Sequence, residues 1–503
     1  MASVHLLLLI HGLWGNPTHL DELARIAQET HAEAAADGTV LRVLVAKTNA
    51  NSATYDGIDW GGERVTQEVY EEKERIESEG KTITKFSITG YSLGGLIARY
   101  VIGILKQRQF FDTAEPMNFN TIATPHIGLP IWNGTFFASV SNFFGPILLS
   151  RTGEQFYGVD NYASTGMPLL EVMADSNRIF YQALASFRNK RIYANAVRDT
   201  TVPYVTACIE EEDPFAEWDT NGMEIKMNEK YPALVESWSP SEGFQSQEVQ
   251  PAQMFGTPSW FRQRKATKTN KTEKRATLPP FLQFRFPFNI LFYTLLPVLI
   301  PIGVTLALTR LSLDSRSSRR RLRQLEKELS KDSPSGRKLI TILSELEKEV
   351  EVAVGDAVDH LMDNPSSSLS RPVAAVQSLT SSSSSSSLQS SPSSQFLSPS
   401  SSTSNSTSVS ASSSSSNLEE KEIEKATRGA RADKGSMTKP ALTPLQRRLA
   451  RMMNTMPELK KERAMFRKVA NSHGIIISRD VKRFAMHKEG EPVVRHWAEQ
   501  LLV

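Results

Sequence analysis

The sequence predicts an α/β protein built on a mostly parallel sheet covered on both faces, and three observations predict it. Over residues 1–212, short apolar, β-rich runs alternate with amphipathic helical stretches. The opening run, MASVHLLLLIHG, reads as a buried first strand. Farther on, TKFSITGYSLGGLIARY (84–100) passes from a strand pattern to a helical one through a lone hydroxyl crowded by three glycines.

In chain order, the strand expected at 4–10 runs into His11-Gly12-Leu13-Trp14-Gly15, an H-G-x-x-G turn. Gly12 lets the backbone come close, so the amides of Leu13 and Leu93 can face one oxygen as an oxyanion hole. A helical segment at 20–30, a strand at 40–45 and a helical segment at 63–79 lead to the strand at 86–89. There Gly90-Tyr91-Ser92-Leu93-Gly94 is G-x-S-x-G in the strand-to-helix context that a nucleophile elbow requires. A nucleophile on so sharp a turn has strained backbone angles, and its neighbours two positions away must lack side chains. His11, Gly12, Gly90 and Gly94 thus support the two motifs. An ordinary Gly-rich turn is the plainer alternative.

The strand expected at 119–123 leads into Thr124-Pro125-His126, a turn placed at the rim of the site. His126 is read as structural. The stretch 127–149 reads either as a lid or acyl-binding wall, through Phe136, Phe137, Phe143 and Phe144, or as core. A strand at 191–197 ends near Asp199, and parallel sheets place functional groups just beyond their carboxyl ends. A turn or helix-capping aspartate is the alternative there.

A serine hydroxyl is a poor nucleophile until a histidine takes its proton and a carboxylate fixes that histidine's tautomer. With the chain order Ser, Asp, His, the histidine lies downstream, at His360, His473, His487 or His496. His473, in a small polar loop before the apolar run GIII, is taken as the base. His496, in VVRHWAEQLL, reads as a packing histidine on a final amphipathic helix and is the alternative base.

Beyond the first part, 213–285 dissolves into Pro, Ser, Trp and charge with a basic run at 262–275, and reads as a linker. The segment 286–309 is apolar and long enough to cross a bilayer, which takes ~20 residues. One crossing would leave Ser92 and Asp199 on one side and His473 on the other, and no second span brings the chain back. Lys/Arg clusters flank both ends, whereas a crossing helix carries its excess on the cytoplasmic side. Pro297, Pro301 and Gly303 near the middle disfavour a straight helix. The expectation is a bent hairpin, each arm reaching about 18 Å if helical, that anchors the chain from one face of a lipid layer.

A basic helical segment follows at 310–365, where Leu322, Leu325 and Leu329 share a face that lies along the same surface or is a solvated helix. The Ser-rich stretch 366–440 cannot bury enough surface to fold and reads as a disordered linker. Structure is expected again over 441–503, with a helix at 445–453 and a strand within 465–478, completing the domain begun at 1–212.

The stretches LLLLIHGLWGNPTHL, SITGYSLGGLIARYVIG, FNTIATPHIGLP and the pair NSHGIIISRD with VVRHW together resemble the fungal putative serine-esterase (DUF676-type) lipase family of α/β-hydrolases. Its characterised relatives include a lipid-droplet phospholipase. The resemblance covers roughly 1–210 and 441–503. It implies an α/β-hydrolase fold, here interrupted by a long insertion, with Ser92 as nucleophile, Asp199 as acid and His473 as base. It also implies a glycerophospholipid substrate.

The expectation is therefore a lipid substrate and a membrane or lipid-droplet surface as partners, on the cytosolic face of a lipid droplet or the endoplasmic reticulum. A neutral acylglycerol lipase or an acyltransferase is the alternative. From another class, the alternative is a catalytically dead lipid-surface adaptor. The balance of 58 basic against 55 acidic residues implies no nucleic-acid partner. The one cysteine, Cys208, excludes an internal disulfide framework and suits a reducing compartment, and the amino end lacks the features of a secretory signal. No metal-ligand cluster is evident and serine chemistry needs no cofactor.

Overall fold

β1 (Ala2–Ile10) shows why an all-apolar run makes a strand here. Leu6, Leu8 and Ile10 enter one hydrophobic cluster, while Leu7 and Leu9 enter another. Successive side chains of a strand point to opposite faces, so such a run is stable only where both faces are covered. A computed structural model describes residues 2–132, 144–162, 166–239, 288–329 and 440–503. These belong to one of two compact units, 1–332 with 437–503; the other, 333–436, lies outside the described residues.

After β1 come α1 (Asp21–Thr30), β2 (Val40–Val45), α2 (Ile58–Ser78), β3 (Lys81–Tyr91), α3 (Leu93–Gln107) and β4 (Glu115–Ile122). Then α4 (Ser150–Phe156), α5 (Leu169–Ala174) and α6 (Ile179–Ala185) lead to β5 (Asn189–Asn195) and α7 (Tyr204–Ala207). A hairpin of β6 (Glu224–Met227) and β7 (Val235–Ser239) precedes the long α8 (Phe288–Leu329). The chain closes with α9 (Pro444–Asn454), β8 (Leu459–Ala464) and α10 (Glu491–Glu499).

Six strands form one sheet in the order β8-β5-β4-β3-β1-β2, and every neighbouring pair is parallel. One face is covered by α2, α3, α5, α6 and α9, the other by α1, α10 and the run Ile475, Ile476 and Ile477. The carboxyl-terminal residues are bonded into the sheet: Asn118 on β4 donates to the Leu502 carbonyl at 2.8 Å and accepts from its amide at 2.9 Å. Arg99, buried on α3, donates to the His126 carbonyl at 2.9 Å and to Met453 Sδ on α9 at 3.3 Å. The two distant parts of the chain share one core.

All five strands expected within 1–212 are present. β8 is the addition: LKKERA carries four charged side chains, yet it pairs with β5 from Leu459↔Lys190 to Ala464↔Asn195. As an edge strand it keeps its charges at the rim, where Arg191 pairs with Glu462 and Lys461 with Glu210. The strand expected in GIII is instead a set of turns, with the amides of Ile475 and Ile476 both donating to the Ser472 carbonyl. Three successive isoleucines are buried there, so a wound segment meets the same apolar demand as a strand.

Two further differences concern the insertion. Residues 213–239 extend the fold instead of forming a linker: Phe215 and Val235 pack with Cys208 and Met465, and Leu234 bridges Ala464. The apolar stretch is not bent back on itself. Phe288–Leu329 is one helix of 42 residues that runs through Pro297, Pro301 and Gly303. Among the described residues, no helix is long and apolar enough to cross a membrane. The segment 336–362 lies outside them, as do Phe136, Phe137, Phe143 and the Ser-rich stretch.

Candidate active site

Ser92 sits where β3 ends and α3 begins, with φ 54° and ψ −127°, a conformation that non-glycine residues avoid. The turn persists because its surroundings hold it from several sides. The Ser92 amide donates to the Ile122 carbonyl of β4 at 2.9 Å, and the Gly95 amide donates to the Ser92 carbonyl at 3.0 Å. A side chain on Gly90 would lie 2.3 Å from the Gly94 carbonyl oxygen, and one on Gly94 2.2 Å from the Ile10 carbonyl oxygen. The glycines crowding Ser92 are therefore steric necessities of a helix that starts against two strands.

His473 reaches this serine from a loop 381 positions away, its Nε2 lying 3.1 Å from Ser92 Oγ. Its Nδ1 is 2.9 Å from Asp199 Oδ2. An ionised carboxylate can only accept, so Nδ1 carries the proton and Nε2 is left to accept from the serine hydroxyl. The loop is placed by backbone contacts: the Ser472 amide donates to the Arg198 carbonyl, Ser472 Oγ to the Val197 carbonyl, and Tyr91 OH to the His473 carbonyl at 3.0 Å.

Asp199 follows β5 and accepts more than the histidine. Its Oδ1 takes the amides of Thr201 at 2.9 Å and Val202 at 2.8 Å, and its Oδ2 takes Asn195 Nδ2 at 2.8 Å. Burial alone would push this carboxyl up, but the charge and hydrogen bond of His473, with those of Val202 and Asn195, hold it below the usual carboxylate range. The turn-forming aspartate and the histidine partner are the same residue.

Gly12 packs against the nucleophile, since a side chain there would lie 2.7 Å from Ser92 Cβ. The Gly15 amide donates to the Gly12 carbonyl at 3.0 Å and closes the 12–15 turn. Among the described residues, no acceptor outside its own helix takes the amide of Leu13 or Leu93. His11 is buried beneath the turn with Nδ1 3.1 Å from the Gly12 carbonyl.

The other histidines are placed elsewhere. His126 Nε2 is 2.8 Å from Thr121 Oγ1, His496 Nδ1 is 3.0 Å from Tyr193 OH, and His487 Nδ1 accepts from the Asp480 amide. His360 lies outside the described residues. Among the described residues, no group of three or more His, Cys, Asp or Glu could hold a metal ion. Sequence reasoning missed the turn at 51–55, which holds Trp14 and Gly15; nothing in NSATY marks it except its small polar residues.

Buried histidines give the protein an acid-sensitive core. Burial lowers His5 to about 3 and His11 to about 4. His5 Nδ1 and His11 Nε2 have no hydrogen-bond partner among the described residues, so protonation would put an N–H where nothing accepts it. The unfolded chain protonates near 6.5 and the folded one near 3 to 4, so stability is full above 6.5 and falls as pH drops through that window. The depressed Asp199 carboxyl acts in the same direction at lower pH. Each such histidine is expected to cost about 1.4 kcal/mol per pH unit, and urea midpoints between pH 7 and 4 measure it. A midpoint that holds steady to pH 4 contradicts the neutral burial of these rings.

A parallel α/β sheet that carries a serine elbow after β3 and gathers an aspartate and a histidine at the same edge is consistent with the α/β-hydrolase class. Residues 1–210 match the family described as "Putative serine esterase (DUF676)". Among curated proteins, the putative lipase ROG1 of Saccharomyces cerevisiae is 29% identical over 212 residues, covering 41% of this chain and 28% of its own. The putative lipase C4A8.10 of Schizosaccharomyces pombe is 24% identical over 210 residues, covering 41% and 26%. The matched segment thus spans little more than a quarter of either relative. Among solved structures, the phospholipase PlaB from Legionella pneumophila in complex with thio-NAD aligns at 12% identity over 40% of each chain, with a TM-score of 0.25.

Proposed function

We propose that the protein is a serine hydrolase that works at a lipid surface and cleaves acyl esters of glycerophospholipids. The observation that carries the chemistry is the single imidazole within hydrogen-bond reach of both Ser92 and Asp199. Ser92 Oγ attacks the ester carbonyl as His473 Nε2 takes its proton, and Asp199 stabilises the imidazolium. The Leu13 and Leu93 amides hold the oxyanion. His473 then protonates the departing alkoxide. Water, deprotonated by the same imidazole, attacks the acyl-serine and releases the fatty acid.

The lipid surface is argued from α8. Leu295, Leu299, Ile302, Val304, Leu306 and Leu308 are all exposed, and every residue from 301 to 310 is open to the surroundings. A helix that is apolar all round belongs in an apolar medium. Arg310, exposed where that apolar stretch ends, is worth about 1 kcal/mol beside an anionic surface, and favours a phospholipid over a neutral acylglycerol. Phe144 and Ile147 are exposed beside the helix, whose Ser315 Oγ donates to the Ile147 carbonyl at 3.0 Å. Since 1–239 and 440–503 share one core, attachment from one side suits the fold, and the cytosolic face of a lipid droplet or the endoplasmic reticulum fits that requirement.

The test is product analysis with phosphatidylcholine–phosphatidylserine vesicles. Wild type is expected to release fatty acid and lysophospholipid and to be labelled by a fluorophosphonate. Ser92→Ala is expected to do neither while keeping the wild-type melting temperature. Release from triacylglycerol emulsions alone would move the substrate to neutral lipid. A folded wild type that neither labels nor hydrolyses would overturn the hydrolase reading.

A further inference from the structure

The last third of α8 is docked on the domain rather than laid along a lipid surface. Ser315, Ser318, Leu322 and Leu325 are buried at helical spacing, so the leucine face read from the sequence is used against protein. Ser318 Oγ lies 3.2 Å from Ser150 Oγ on α4. Small serines let the two helices approach closely. The strongest polar contact is Arg321: its Nη2 donates to Asp56 Oδ1 at 2.8 Å and to the Ser52 carbonyl at 3.0 Å, and its Nε to Asp56 Oδ2 at 3.3 Å. Asp56 is fully buried and also holds Arg64 of α2.

The segment that Arg321 grips is the one that holds the oxyanion loop. In the turn 51–55, the Asn51 amide donates to the Gly15 carbonyl at 2.8 Å. Thr54 Oγ1 accepts from the Trp14 amide at 3.2 Å, and Tyr55 OH accepts from Trp14 Nε1 at 2.7 Å. Trp14 itself has φ 54°, in the left-handed region, and directly follows Leu13. A residue in that region stays there only when its neighbours over-determine it. Here three hydrogen bonds from one turn do so, and a guanidinium from the apolar helix braces that turn.

We infer that Arg321 is a positioning residue for the oxyanion hole. By bridging Asp56 and the Ser52 carbonyl it sets the 51–55 turn, which sets Trp14 and with it the direction of the Leu13 amide. The helix that presents apolar surface to lipid and the loop that stabilises the transition state are thereby parts of one braced unit. This rests on the hydrolase reading proposed above. A planar fork is needed because two acceptors at different angles are held at once, which an ammonium cannot match.

The test uses the full chain and a soluble p-nitrophenyl butyrate substrate without lipid, so that membrane binding does not enter. Removing an oxyanion donor outright costs about 10²–10³ in kcat, and misaiming one is expected to cost about tenfold. Arg321→Ala is expected to lose that in kcat with KM changed less than twofold. Affinity for a trifluoromethyl ketone, whose adduct places an oxyanion in the hole, should fall by the same factor. Tyr55→Phe removes just the acceptor of the Trp14 indole and is expected to lower kcat in the same direction. Arg321→Lys should recover less than half of the loss. Arg320→Ala removes an equal charge from the exposed side of the helix and should match wild type.

Wild-type kcat and inhibitor affinity in Arg321→Ala overturn the inference, as does an equal loss in Arg320→Ala. Should Arg321→Ala fail to fold, wild-type kcat in Tyr55→Phe overturns it alone. A wild type with no hydrolysis and no fluorophosphonate labelling overturns the hydrolase reading and this inference together, whereas an active wild type with an indifferent Arg321 overturns the inference alone.

Discussion

His473→Ala is expected to lower kcat for ester hydrolysis by about 10⁴–10⁶, with the fold intact and the serine still present. The reason is geometric: this imidazole bridges Ser92 Oγ at 3.1 Å and Asp199 Oδ2 at 2.9 Å, and no other described histidine touches either. Without it the hydroxyl has no acceptor for its proton, and the oxyanion donors alone retain a small part of the rate. The informative control is His496→Ala. That ring is hydrogen-bonded to Tyr193 OH and packed edge-on against Tyr231, so its loss should alter stability modestly and kcat by no more than a few-fold. Steady-state rates on a soluble ester, with circular dichroism to confirm folding, decide between them. If His496→Ala is the inactive variant, the base is wrongly placed.

Gly94→Ala is expected to have the largest effect on stability. Its new Cβ would stand 2.2 Å from the Ile10 carbonyl oxygen and 2.6 Å from that of His11. Both are backbone atoms at the end of a central strand, so relief means shifting β1 or tilting α3 out of a core that is almost fully buried. The expected cost is ~3 kcal/mol or more, the upper end of what overpacking costs where the site cannot yield. The displaced His11 carbonyl leads straight into the oxyanion turn, so residual activity should also fall. Gly303→Ala is the counterpart. Among the described residues, nothing outside its own stretch of helix would lie within 4 Å of a side chain at that position on α8, and replacing a mid-helix glycine should leave stability unchanged or raise it by up to ~1 kcal/mol. Urea midpoints of the two variants report the contrast. A wild-type midpoint for Gly94→Ala would mean that the elbow is looser than its contacts imply.

Much of the site was legible because its constraints are local. G-x-S-x-G announces itself through what a strand-to-helix reversal forbids its neighbours, and the observed contacts of Gly90 and Gly94 are those prohibitions in atomic form. Asp199 was legible as a carboxylate just past a strand end, although its second task, tying down the amides of Thr201 and Val202, could not be read in advance. The sheet was legible strand by strand wherever apolar runs were buried on both faces. It was not legible at β8, where an edge position leaves Lys460, Lys461, Glu462 and Arg463 in a strand with little apolar signature. GIII misled for the opposite reason. Burial demands apolar residues from turns and strands alike, and a run of three cannot tell one from the other.

By itself the sequence determined the elbow, the turn after β1 and the alternation that makes a covered parallel sheet, because each depends on sterics and solvation among residues a few positions apart. The loop context singled out His473 and left His496 as the alternative, and tertiary structure brings His473 to Ser92; it alone decided that 213–239 joins the fold and that Arg321 closes on Asp56. Those outcomes depend on residues far apart in the sequence, 265 positions for Arg321 with Asp56 and 381 for His473 with Ser92, arriving at one place. No local pattern encodes them. The energy that selects them comes from desolvating the whole interface at once, in which each side chain's best partner depends on where all the others have packed.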